Sequence, residues 1–342
     1  MKDIESKVLE QYCVDVNGVR KVRGGFLCDT KQGMMRMKVL SSSDKKIPYV
    51  QYMTEQIKEA GFEMVDTMIP TQAGALVCDM RDHGKFVLKR WYIGRECDVY
   101  REKEVLEACK TLAILHNYLD QVSEQLLLMQ SDLKEDERWN HFHGPNLTQE
   151  WQKHNYNFKK ARSYMRSRVG KGEFEMLYLD EFESFYGMAE EILKQLRQSE
   201  YEELYQAALK QKLLVHGDYN YHNILFVGSQ VAITNFERFR IDIPIADFYY
   251  FLRKVMEKRS WEEELGSKML YAYEQYRTVS EREKLYMALR LSYPEKVWKI
   301  TNYYTNTNKA WISEKNVEKL RISIEQMVRK QQFVQHLFAF HL

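Results

Sequence analysis

Over roughly the first ninety residues apolar positions come in short runs broken by turn residues, and beyond Val99 they recur at helical spacing. Residues 19–28 and 34–40 read as strands on either side of Asp29-Thr30-Lys31-Gln32-Gly33, a turn of the composition that hairpins use. Pro48 opens a helix over 49–60, which Gly61 stops. Two more strands follow at 73–80 and 85–92, giving a small antiparallel sheet with one helix packed on it. From residue 102 to 116 the apolar side chains Val105, Leu106, Leu112, Ala113 and Leu115 mark a helix face. Further helices are expected at 149–168, 173–196, 201–211, 244–257, 261–276, 281–291 and 314–333, with a short β region between the third and fourth of them. The pattern therefore predicts an α+β fold: a β-rich part over 1–92 and a mostly helical part over 93–342, joined by a tight hinge at 90–94.

Composition narrows this picture by exclusion. With 44% hydrophobic and 29% charged residues, the 342-residue chain is an ordinary globular protein and not a disordered one. Its 51 basic and 49 acidic side chains nearly cancel, against the basic excess of a dedicated nucleic-acid binder. No run of eighteen apolar residues predicts a membrane-spanning helix, and the first ten residues hold no apolar signal core, so a cytoplasmic location is expected. Cys13, Cys28, Cys78, Cys97 and Cys109 are odd in number and widely spaced, which reads as free thiols in a reducing compartment.

The chemistry concentrates between residues 213 and 237. An apolar strand, Leu213-Leu214-Val215, leads into His216-Gly217-Asp218 and, five residues after the aspartate, Asn223. His-x-Asp-x-x-x-x-Asn is the spacing of a phosphoryl-transfer catalytic loop: the carboxylate accepts the proton of an attacking hydroxyl, and the amide oxygen reaches a magnesium on the nucleotide phosphates. Residues 224–227 and 231–234 then form a hairpin across Gly228-Ser229 and return the chain at Asn235-Phe236-Glu237. A second metal ligand is needed at that return, in a tripeptide normally led by aspartate. The competing account, an aspartate that merely caps a loop, explains neither the preceding strand nor the hairpin.

These residues, with Asp247 in the helix that follows, resemble the aminoglycoside phosphotransferase and choline kinase superfamily. They resemble more closely the CotS-like spore coat family within it. The closer likeness rests on Arg23-Gly24-Gly25-Phe26 with Thr30 and Gly33, on Trp91-Tyr92-Ile93-Gly94-Arg95-Glu96-Cys97, and on Leu112-Ala113-Ile114-Leu115-His116. It rests also on Ser163-Tyr164-Met165-Arg166 and on 251–254 running to Trp261. The resemblance implies a two-lobed, protein-kinase-like fold with ATP and Mg2+ as cofactors. Residues 1–92 would cover the nucleotide and 93–342 would carry the catalytic loop. Asp218 would be the base, Asn223 and Glu237 or Asn235 the metal ligands, and Lys38 the lysine on the phosphates with Glu55 as its helix partner. Trp91 and Tyr92 would lie at the hinge that receives adenine, and His216 and Asp247 would brace the loop. A solvent-facing strand lysine is the plainer account of Lys38.

The sequence departs from that pattern where it matters most. Asn235 stands in the place of the metal-binding aspartate, so a dication loses one full opposing charge. In a partly desolvated cleft that costs several kcal/mol, on the order of a thousandfold in rate. Glu237, two residues on, would either replace that carboxylate or be a spectator. No GxGxxG follows Gly24-Gly25. Two functions stay open: a CotS-like coat protein with degenerate or weak nucleotide binding, and an active kinase acting on a hydroxyl of a small molecule of the aminoglycoside, choline or homoserine type, or of a protein. Nucleotide, an unidentified acceptor and other coat proteins are the expected partners, with no membrane and no nucleic acid. The basic run from Lys153 to Lys171 reads as a solvated helix face whose aromatics Trp151, Tyr156, Phe158 and Tyr164 enter the core. Cys97 and His116 read as packing residues, not a nucleophile and its base.

Overall fold

The computed structural model describes residues 2–40, 43–81, 83–128, 139–306 and 314–341. A short helix, α1 (Lys2–Leu9), precedes strands β1 (Val16–Val22), β2 (Gly25–Thr30) and β3 (Gly33–Val39). Helix α2 (Ile47–Glu59) then leads to β4 (Met68–Ile69), β5 (Cys78–Met80) and β6 (Gly84–Arg90). The strands form one antiparallel sheet in the order β1-β2-β3-β6-β4, with β5 also on β6.

This sheet differs from the apolar pattern in three places. The stretch 19–28 is two strands, not one, folded back at Arg23-Gly24. Gly24 takes the left-handed φ of +74° that glycine adopts at no steric cost. Its neighbour Gly25 lets β2 lie close on β3, since a Cβ there would sit 2.3 Å from the Met37 carbonyl oxygen. Of residues 73–80 only Cys78–Met80 pair as a strand, and α1 was not predicted at all.

Alternation along β3 and β6 gives the sheet two unlike faces. Cys28, Met35, Met37, Phe86 and Leu88 are buried with Val8, Leu9 and Tyr12 from α1 and the segment after it. Each such side chain contributes about 1.5–3 kcal/mol relative to exposure. The other face presents Arg36, Lys38, Val87 and Lys89. Beside it α2 buries Val50, Met53 and Ile57 in the same core cluster that runs through the helical part.

The remainder is mostly helical: β7 (Arg95–Glu96), α3 (Glu102–Leu128), α4 (Leu147–Ser167), α5 (Glu173–Asp180), α6 (Phe182–Gln198) and α7 (Tyr201–Lys210). There follow β8 (Leu214–Val215), β9 (Ile224–Val227), β10 (Gln230–Ile233), β11 (Arg240–Ile241) and α8 (Ile245–Met256). Last come α9 (Glu263–Glu274), α10 (Glu281–Ser292), α11 (Glu295–Asn306) and α12 (Glu314–Phe338). The helix expected over 173–196 is broken at Glu181, and α11, behind Pro294, was not foreseen. Of the four aromatics named for α4, Trp151 and Phe158 enter the core, whereas Tyr156 and Tyr164 face solvent, which corrects the expectation for that helix. The two parts are stitched together where the Ile233 amide donates to the Met64 carbonyl. All five cysteines are unpaired and all but Cys13 are buried. Among the described residues no helix is long and apolar enough to cross a membrane.

Candidate active site

Strand β8 delivers His216-Gly217-Asp218 onto the first turn of α8, where Asp247 is fully buried. Asp247 accepts from the backbone amides of His216 at 2.6 Å and Gly217 at 2.9 Å. Burial opposes its charge, but the nearby His116, His216 and Arg240 hold its carboxyl below the ordinary range. His116, set aside as a packing residue, stands 3.4 Å from Asp247 and 2.6 Å from the Tyr273 hydroxyl. Gly217 has φ +77°, and a Cβ there would lie 1.9 Å from the Arg238 carbonyl oxygen, so the turn needs glycine. The His216 ring accepts the Asp218 amide on Nδ1 at 3.1 Å and donates from Nε2 to the Thr234 carbonyl at 3.0 Å, so both ring nitrogens are engaged.

Asp218 is then gripped by amides. Asn220 Nδ2 donates to its Oδ1 at 3.0 Å, and Asn223 Nδ2 donates to its backbone oxygen at 2.8 Å and to Oδ2 at 3.3 Å. The β9–β10 hairpin, in register from Ile224↔Ile233 to Val227↔Gln230, returns the chain to Asn235. Asn235 takes a left-handed conformation, φ +69°, ψ +54°, which asparagine tolerates better than most residues. Its Nδ2 donates to Asn223 Oδ1 at 2.7 Å, and its Oδ1 accepts from Lys38 Nζ at 2.8 Å. The result is one directed chain of donors, Lys38 to Asn235 to Asn223 to Asp218. An ammonium at one end and a carboxylate at the other set the orientation of both amides.

Behind Asn235 lies a buried ion cluster. Lys89, with no exposed side-chain surface, is 2.8 Å from Asp66 Oδ2 and 3.1 Å from Glu237 Oε1. Lys38 is 3.1 Å from the same glutamate oxygen, and Asp66 Oδ2 also accepts the Asn235 backbone amide at 2.9 Å. Burial works against ionising Glu237, yet the ammonium groups of Lys89 and Lys38 hold its carboxyl well below the usual range. Asp66 goes the other way, raised by burial and by the charge of Glu237. Burial also lowers Lys38. The partnership expected between Lys38 and Glu55 is not formed. Helix α2 buries Val50, Met53, Thr54 and Ile57, so its phase turns Glu55 to the exposed side, where it bonds Gln51.

At the hinge, Tyr92 donates its hydroxyl to the Val65 carbonyl at 2.8 Å, and the Trp91 amide donates to the Met34 carbonyl at 2.9 Å. The guanidinium of Arg36 lies over the Trp91 ring, 4.3 Å from its centroid. A cavity of about 230 Å³ opens between the sheet and the loop, lined by Lys38, Val39, Leu40, Val87, Asp218, Asn223, Asn235, Glu237 and Arg238. The expected base, metal ligands and phosphate lysine thus meet around one cavity, and Trp91 and Tyr92 are not in its lining.

A family model described as spore coat putative kinase YutH matches residues 5–337. The chain belongs to this family. The YutH assignment agrees with the CotS-like resemblance and with solved structures of the same fold. An aminoglycoside phosphotransferase from Alicyclobacillus acidocaldarius superposes with a TM-score of 0.81 at 17% identity, over 97% of this chain and 94% of that one. An amicoumacin kinase, in complex with AMP-PNP, Ca2+ and amicoumacin, gives 0.60 at 13% identity over 95% and 92%. A spectinomycin phosphotransferase bound to ADP and spectinomycin gives 0.61 at 10% identity over 97% and 98%. These likenesses establish a protein-kinase-like α+β fold for this YutH-family chain.

Magnesium, a hard cation, binds through carboxylates, water and phosphate oxygens. As folded, this YutH-family site does not fit it. Asn223 and Asn235 present neutral oxygens that already accept hydrogen bonds, and Glu237 is shared between two ammonium groups. Reading the sequence missed Asp66, Lys89, Asn220 and Arg36. Lys89 left one signal, a lysine directly after Phe86-Val87-Leu88 in a strand that is central to the sheet.

Proposed function

We propose that this chain is a spore coat component that keeps the kinase shape while handling magnesium nucleotide weakly or not at all. The observation that supports this reading is the directed chain from Lys38 through Asn235 and Asn223 to Asp218. The amide at 235 has both its oxygen and its nitrogen engaged, so it serves as a structural link where a catalytic site needs a free metal ligand. An aspartate there would turn its lone pairs on Asn223 Oδ1 and break the link. In this reading residues 1–92 form the lobe that covers the cleft and 93–342 carry the loop. Trp91 and Tyr92 mark the adenine end, His216 and Asp247 support the fold of the loop, and Glu237 holds the two lysines. Other coat proteins are the partners that such a component would need.

A second reading, a working kinase on a hydroxyl acceptor, is favoured by one observation: Asp218 still lines the open cavity, on a loop held by Asp247. In that reading Lys38 leaves Glu237 for the phosphates when ATP and Mg2+ enter. Phosphate release from ATP separates the two. The first expects the wild-type chain to match an Asp218→Asn variant, which keeps the shape and loses the base. Release well above that background would establish the working kinase.

A further inference from the structure

The cavity and the hinge, which a single nucleotide would have to occupy together, are separated by one side chain. On the paired strands β3 and β6, Lys38 stands opposite Val87, Arg36 opposite Lys89, and Met34 accepts the Trp91 amide. Arg36 therefore occupies the rung between the phosphate lysine and the hinge tryptophan. With side chains alternating along a strand, it faces the cleft as Lys38 does, while Met35 and Met37 face α1. Its guanidinium lies over the Trp91 ring, and its Nη2 donates to the Arg23 carbonyl at 2.7 Å. From there the contacts continue across the cleft: Arg23 Nη1 stands 3.3 Å from His222 Nε2, and His222 Nδ1 bonds Glu96. Trp91, Arg36, the β1–β2 turn and the residue before Asn223 form a continuous wall.

The open volume agrees with this wall. At about 230 Å³ the cavity falls short of the roughly 300 Å³ at which small-molecule sites begin, and its lining stops at the Lys38 and Asp218 end. We propose that Arg36 shuts the base end of the cleft, so that the folded protein accepts the phosphate portion of a nucleotide and discriminates against its base. The inference rests on the cleft being the nucleotide-shaped site of the proposed function. An adenine can use the face of Trp91 only by displacing the guanidinium, and the strength of a desolvated cation–π contact puts the penalty on the order of tenfold or more in affinity.

The test is competition titration of the full chain with ATP and with inorganic tripolyphosphate, both with magnesium. Wild type is expected to bind the two within about threefold of each other. Arg36→Ala is expected to gain on the order of tenfold for ATP with tripolyphosphate unchanged, and ATP is expected to quench tryptophan fluorescence only in the variant. Arg36→Met, which keeps the aliphatic stem against the turn, should behave like the alanine variant and guards against a folding defect. A wild-type preference of tenfold for ATP that Arg36→Ala abolishes would overturn the proposal and make Arg36 a base ligand. No gain for ATP in either variant would overturn it too. If wild type prefers ATP while its phosphate release stays at the Asp218→Asn background, the Arg36 inference alone has failed. Release above that background sinks the proposed function whatever the preference.

Discussion

On one wall of the cleft a single carboxylate, Asp247, receives two backbone amides of the loop that carries Asp218. On the facing wall a single carboxylate, Glu237, is shared by two lysines, one fully buried and one partly open to the cavity. The first arrangement holds the loop of Asp218 in place, with Asp218 lining the cavity. The second consumes the charges that a metal and a phosphate would need. The two walls are stabilised by separate interactions: the loop geometry rests on Asp247, and the ion cluster rests on Lys89, Lys38, Asp66 and Glu237.

The largest effect is expected from Asp247→Ala, which leaves the amides of His216 and Gly217 buried without an acceptor. Two such losses amount to about 3–5 kcal/mol, seen as a fall of roughly 4–7 °C in the thermal midpoint of a chain of this length. A near-neutral result would mean that the loop is held by something other than Asp247. Next, Lys89→Met strands Asp66 and Glu237 without their shared cation and should cost about 3–4 kcal/mol in urea denaturation. Lys38→Met should cost about 1 kcal/mol or less, since the side chain is still a quarter open to solvent. Equal losses at the two lysines would contradict a cluster organised around Lys89.

A pH effect of intermediate size comes from outside both walls. His154 is stacked on Trp298 at 3.4 Å between centroids, near Glu150, Glu295, Lys299 and Lys153, and burial pushes its imidazole down to about 4. Between that value and the unfolded one near 6.5, only the unfolded chain takes the proton. Stability is therefore complete above about pH 7 and declines on acidification, by about 2 kcal/mol at pH 5. His154→Phe, which keeps the stack, should flatten that part of the profile, and Glu237→Gln should not. A change in stability as small as that at Lys38 is expected for Asn235→Asp. It gains charge against Lys38 but loses the bond to Asn223 and sits beside Asp66, for a net loss of about 1 kcal/mol in the same denaturation series.

Asp218, Asn223 and Asn235 were legible because one short strand, one turn and one hairpin fix their separation, and all three are local in the chain. Lys38 was legible as a cleft residue through its place in β3. Its partner was not, for Glu55 is turned away by the phase of α2, which depends on how that helix packs. The Lys89, Asp66 and Glu237 cluster joins three distant segments, and no local pattern encodes such a meeting. The single strand expected over 19–28 hid a reversal that rests on two adjacent glycines. Arg36 reads in the sequence as any strand arginine, and only the position of Trp91 across the ladder gives it a role.

The central claim, that the metal pole has become a neutral structural link, is tested most directly by the ratio of ATP dissociation constants without and with magnesium, in wild type and in Asn235→Asp. The expected ratio in wild type is within about threefold of unity, and in the variant tenfold or more, worth about 1.4 kcal/mol. A wild-type chain that already binds ATP tenfold more tightly with magnesium, unchanged by Asn235→Asp, would contradict it.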